Sequence, residues 1–148
     1  MTHQINIYTI GFTKKSAQQF FETLTKNGIK RVIDARLNNN SQLAGFTKKA
    51  DFEYFLNKIT NIEYVHLLEL APTSEILDTY KKNGGDWQTY ERQFLSLMQQ
   101  RAIEKQFSPD TFDSGCVLCS EATAKNCHRR LIVEYLQQKW NNINIQHL

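Results

Sequence analysis

Residues 115–148 read GCVLCSEATAKNCHRRLIVEYLQQKWNNINIQHL. The short apolar run GCVLC, 115–119, predicts a strand. Residues 127–140, CHRRLIVEYLQQKW, place Leu131, Ile132, Tyr135 and Leu136 on one side of a helix, and INIQHL, 143–148, returns to a strand. Working back along the chain, the same alternation recurs. Strands are expected at 6–11 (NIYTIG), 31–36 (RVIDAR) and 63–70 (EYVHLLEL), the last breaking at Ala71-Pro72. Helices are expected at 16–27, capped by Ser16, at 48–60, at 73–82 and at 87–106, the last with Tyr90, Phe94, Leu97 and Met98 inward. Strands alternating with helices predict β-α-β units. The expected fold is a single α/β domain over 1–148, with a mostly parallel sheet of about five strands covered by helices on both faces.

In such sheets the ligand crevice lies outside the carboxyl ends of the strands. Polar residues collect at those ends: Gly11, Phe12 and Thr13 after the first strand, Asp34 and Arg36 at the second, His66 and Glu69 on the third, and Cys119, Ser120 and Glu121 after the fourth. A site at this edge is therefore expected.

The chain has 148 residues, a size that buries a core without staples. A net charge of +3 is too small to imply nucleic acid, and the pairs Lys14-Lys15, Lys48-Lys49 and Lys81-Lys82 read as solvated faces. Neither a leader nor a membrane span is expected. Three cysteines crowded into twelve residues do not resemble a disulfide framework, so a cytoplasmic protein with reduced thiols is expected.

Within that cluster, Cys116, between Gly115 and Val117, reads as a small buried hydrophobe. Cys119 falls at the crevice, and Cys127 near the start of the last helix, where free N–H groups favour a thiolate. Arginine in that first turn opposes the helix dipole. For Arg129 and Arg130 an anion at the helix start and a salt bridge to Asp34 or Glu121 are both open. His128 suits an orienting hydrogen bond or acid–base work, His66 a satisfied core histidine, and Glu121 general acid–base work or an ion pair. Zinc is disfavoured on two counts. Cys116 and Cys119 point to opposite faces of a strand, and Cys127 and His128, if both helical, diverge by about 100°.

In order, YTIGF, VIDAR, YVHLLEL, CSEATAKNCHRRLI and INIQHL resemble the domain-of-unknown-function 488 family over nearly the whole chain. The most specific piece is Cys119, Glu121, Cys127, His128 and Arg129. The resemblance implies a compact α/β domain and no particular activity. It carries over Gly11, Asp34, Arg36, His66 and Glu69 as well, while Cys116 and Arg130 lie outside its pattern. Two loops depart from the family: LNNNSQ replaces a serine-proline-rich segment, and Ala71-Pro72 replaces a glycine pair.

The leading expectation is an enzyme acting on an anionic small molecule or nucleic acid. Cys119 and Cys127 supply sulfur, Glu121 or His128 moves protons, Arg129 and Arg36 bind the anion, and Gly11, Asp34, His66 and Glu69 support the site. No cofactor is expected. One alternative is a non-catalytic nucleic-acid- or protein-binding module using exposed lysines with Phe46, Trp87 and Tyr90. Another is metal binding through Cys119, Cys127 and His128.

Overall fold

The computed structural model describes residues 4–12, 15–37, 49–82, 84–119 and 127–148, apart from the side chains of residues 49 and 50. The chain runs β1 Ile5–Gly11, α1 Ala17–Lys26, β2 Arg31–Asp34, α2 Lys49–Phe55 with a π-helical turn Leu56–Thr60, and β3 Glu63–His66. It continues with a 3-10 turn Leu68–Leu70, α3 Ser74–Lys82, α4 Trp87–Arg101, α5 Ile103–Gln106, α6 Pro109–Phe112, β4 Gly115–Cys119, α7 His128–Lys139 and β5 Ile143–His147. The five strands form one parallel sheet in the order β3-β2-β4-β1-β5.

Strand alternation builds a core on each face. Ile5, Ile7, Ile33, Ala35 and Val117 pack with Ile76, Phe94, Met98, Ile103, Phe112, Leu131 and Leu136 of α3 to α7. Ile10, Phe12, Val32, Cys116 and Leu118 face Phe20, Leu24, Phe52 and Leu56 of α1, α2 and the π-helical turn. The expected α/β architecture with both faces covered is thus the one observed. β4, buried along its whole length, is the middle strand, so its carboxyl end lies at the centre of the sheet edge.

Local chemistry sets most boundaries. Ser16 caps α1 and forms a capping box with Gln19. The third strand is shorter than expected. The last sheet bond there is Leu67 N–H to Asp34 O at 3.0 Å, and the chain then tightens into the 3-10 turn before Pro72. The helix expected over 87–106 is broken at Ala102, whose φ of 51° ends α4 and turns the buried Ile103 into the core. α6, which periodicity misses, starts on a Ser108 cap with Pro109 in the first turn. Among the described residues, no helix is long and apolar enough to cross a membrane.

Candidate functional site

The carboxyl end of β4 carries Cys119, which the sheet register sets beside Gly11 of β1. Alternation turns Cys119 to the opposite face from Cys116, towards α7. Cys116 is fully buried on the α1 side, where burial pushes its thiol well up and keeps it protonated. Cys127 is not part of α7. It is the residue preceding the helix, with extended backbone at φ −138° and ψ 141°. The angular argument against Cys127 and His128 sharing a target, which assumes both are helical, therefore does not hold. The sulfur of Cys127 and the imidazole of His128 both turn towards Cys119, and the three potential ligand atoms lie within 4.8 Å of one another.

The sulfurs of Cys119 and Cys127 meet, with their Cα atoms 7.4 Å apart, beyond the usual span of a disulfide, while Cys116 stands apart on the other face of the sheet. A strand end and a helix cap aim both side chains at one point. Cys119 is 1% exposed and Cys127 4%.

His128 opens α7 and is held from two sides. Its Nε2 lies 2.8 Å from Ala35 O, and its Nδ1 lies 4.0 Å from Cys127 Sγ. A carbonyl only accepts, so Nε2 carries the hydrogen and the Nδ1 lone pair faces the sulfur. Burial lowers its pKa to about 4, the Ala35 bond opposing and the Arg129 charge assisting. At neutral pH the ring is uncharged.

Arg129 is fully buried, and its Nη1 donates to Cys119 Sγ at 3.4 Å. Lys15, after β1, is half-buried, and its pKa is lowered by burial and then by the charge of Arg129. Arg130 pairs with Glu91 and Glu134 on the surface, an ion pair as one of the two motives had it, but with other partners than the expected Asp34 or Glu121.

A second polar group sits where β2 ends. Arg36 forks onto the buried Asp34, with Nε to Oδ1 at 2.8 Å and Nη2 to Oδ2 at 2.7 Å. Its guanidinium lies 5.2 Å from the ring centre of Phe12 and 5.9 Å from that of Phe52. Tyr64 donates to Asp34 Oδ2 at 2.6 Å, and His66 Nε2 donates to Arg36 O at 2.7 Å. Asp34, Arg36, Tyr64 and His66 thus brace one another and the start of the following loop. Glu69 stands apart, exposed on the 3-10 turn, where Arg101 gathers the carbonyls of residues 69 and 71.

Two residues enter from outside the sequence reading. His147, at the end of β5, places Nδ1 2.6 Å from Oγ1 of the buried Thr9. Its pKa is lowered by burial and then by Arg129, so it lies within reach of the same charge. Tyr64 is the other. Both lie in stretches quoted for the resemblance, YVHLLEL and INIQHL, but nothing local singles them out, and strand register brings them in. Trp87 and Tyr90 stack at 4.9 Å on the core side of α4, as expected of aromatics at helical spacing. Thr13, Lys14, Lys48, Phe46, Ser120, Glu121 and nearly all of the LNNNSQ segment lie outside the described residues.

Comparison with curated proteins and with solved structures finds no significant match to either. A family model does match. It covers residues 16–136, a span that holds β2 to β4 and most of α7 and includes Asp34, Arg36, His66, Cys119, Cys127, His128 and Arg129. YTIGF and INIQHL lie beyond the matched span. The chain belongs to the family described as Domain of unknown function DUF488.

Proposed function

We propose that the chain is a cytoplasmic enzyme acting on a small anionic, phosphate-bearing substrate at the carboxyl ends of β4 and β1. The reduced Cys119–Cys127 pair is its reactive sulfur centre. The observation that carries this reading is the buried Arg129 guanidinium donating to Cys119 Sγ at 3.4 Å. A cation beside a sulfur favours negative charge on it, and the same cation attracts an anionic substrate. Lys15 adds a second positive charge from the β1 side. The burial of Cys119 and Arg129 suits a small molecule better than a polymer.

Arg129 rather than Arg36 is assigned to the anion, because Arg36 is committed to Asp34. Proton transfer falls to Glu121, since both ring nitrogens of His128 are already directed, one at Ala35 O and one at the sulfurs.

The test is alkylation of the reduced, chelator-treated protein by iodoacetamide near neutral pH, mapped by mass spectrometry. Cys119 or Cys127 labels well before Cys116. Labelling of all three only on unfolding ends the reading. For the anion, thermal unfolding is followed with added inorganic phosphate and nucleoside monophosphates. The midpoint rises in the wild type, and the rise shrinks in Lys15→Gln and Arg129→Lys.

A further inference from the structure

We propose that reduced Cys119 and Cys127, with His128 Nδ1, form a binding centre for one zinc-class divalent cation. The inference rests on the sulfur centre just described and states what that centre holds. Sulfur and imidazole nitrogen are the ligand types that select zinc among the common divalent ions.

The first support is convergence. The two sulfurs and a histidine nitrogen lie within 4.8 Å of one another, yet come from a strand end, a helix cap and a first helical residue. The Cα atoms of the two cysteines are 7.4 Å apart. Side-chain rotation therefore suffices to set the thiolates roughly 3.8 Å apart, the spacing that two 2.3 Å Zn–S bonds at a tetrahedral angle require.

The second support is orientation. Nε2 of His128 is occupied by Ala35 O at 2.8 Å, which fixes the tautomer and directs the Nδ1 lone pair to the sulfurs. A backbone carbonyl on the remote ring nitrogen is the usual outer partner of a metal-bound histidine. Phe94 lies against the ring at 5.4 Å between centres and further limits its rotation.

The third support is charge. Two thiolates and one divalent cation sum to zero, so the ligand set adds no net charge beside the buried Arg129. The Arg129 N–H on Cys119 then acts as a donor to a ligand sulfur. Binding exchanges two thiol protons for the cation, with no change of oxidation state once the pair is reduced. The described residues supply three of four tetrahedral positions. Cys116, on the far face of the sheet, is not among them.

The experiment titrates Co2+, then Zn2+, into the full chain reduced by a phosphine and freed of metal. One Co2+ per chain binds, with thiolate-to-cobalt charge-transfer absorption and the ligand-field bands of a tetrahedral ion, and one equivalent of Zn2+ displaces it. Cys116→Ser keeps this behaviour. Cys119→Ser and Cys127→Ser weaken Zn2+ by at least about 100-fold, beyond the 10–100-fold that an outer partner contributes. The wild-type spectrum alone decides the matter if a variant fails to fold. No stoichiometric binding, a spectrum without thiolate bands, or binding retained in the double variant Cys119→Ser/Cys127→Ser overturns the proposal. Bound Zn2+ must also slow iodoacetamide at Cys119 and Cys127. Rapid labelling of metal-free protein that Zn2+ does not slow refutes the metal centre while leaving the sulfur reading intact. Absence of labelling in metal-free protein refutes the sulfur reading itself.

Discussion

At the residue scale, the most stringent position is Asp34. Its carboxylate accepts three bonds from Arg36, one of them from the backbone N–H, and one from Tyr64, all inside the protein. Removing the carboxylate strands a buried guanidinium, and breaking a buried pair from one side costs about 3–5 kcal/mol. Asp34→Ala is therefore expected to lower the unfolding free energy measured in urea by that amount, whereas Tyr64→Phe costs about 1 kcal/mol, one neutral donor's share. His147 gives a pH signature. Its folded pKa lies below its unfolded value, so the unfolded chain binds the proton more readily. The stability it permits is complete above about pH 6.5 and is lost as pH falls through the lower folded value. Urea denaturation across pH 7.5 to 5.5 is expected to show a shallower loss in His147→Gln than in the wild type; equal slopes refute this. VIDAR showed the aspartate and the arginine but not that they pair with each other, nor that Tyr64 joins them. Those contacts depend on register, which no local pattern in VIDAR or YVHLLEL encodes.

At the element scale, apolar runs bounded by turn residues revealed all five strands, because a strand covered on both faces is written as a continuous hydrophobic stretch. The same signal misled at 63–70. Leu68 and Leu70 extend the apolar run, but Leu68 is 52% exposed on a 3-10 turn, so composition continued where the ladder had stopped. Helix ends were harder still. Cys127 was read as helical because apolar spacing resumes only four residues later, and an extended cap has no hydrophobic signature. That single boundary reverses the geometry of the site, since it lets adjacent residues face one target. The break at Ala102 was equally hidden, for left-handed backbone is signalled by glycine or asparagine and not by alanine. Ala102→Gly relieves that conformation and is expected to stabilise by about 1 kcal/mol, read as a raised thermal midpoint with unchanged circular dichroism. Ala102→Val should lower the midpoint instead.

At the scale of the whole molecule, both cores are built on opposite faces of the same strands, so neither can dissolve without exposing the other's sheet. One cooperative transition is expected, with tryptophan fluorescence and far-ultraviolet circular dichroism superimposing in urea. Two separated transitions would instead show that the helices on one face melt independently. That Asp34 and Cys119 fall at one edge of the sheet was readable from the β-α alternation alone, since it follows from chain direction. The order of strands was not, because β4 enters between two strands made much earlier. That late insertion has a consequence during synthesis. Until residue 115 and its successors leave the ribosome, β1 and β2 have no bridging partner, and each offers a bare edge to solvent. A translation product stopped within α4 should accordingly be held by chaperones or aggregate, while the finished chain closes the gap in one step.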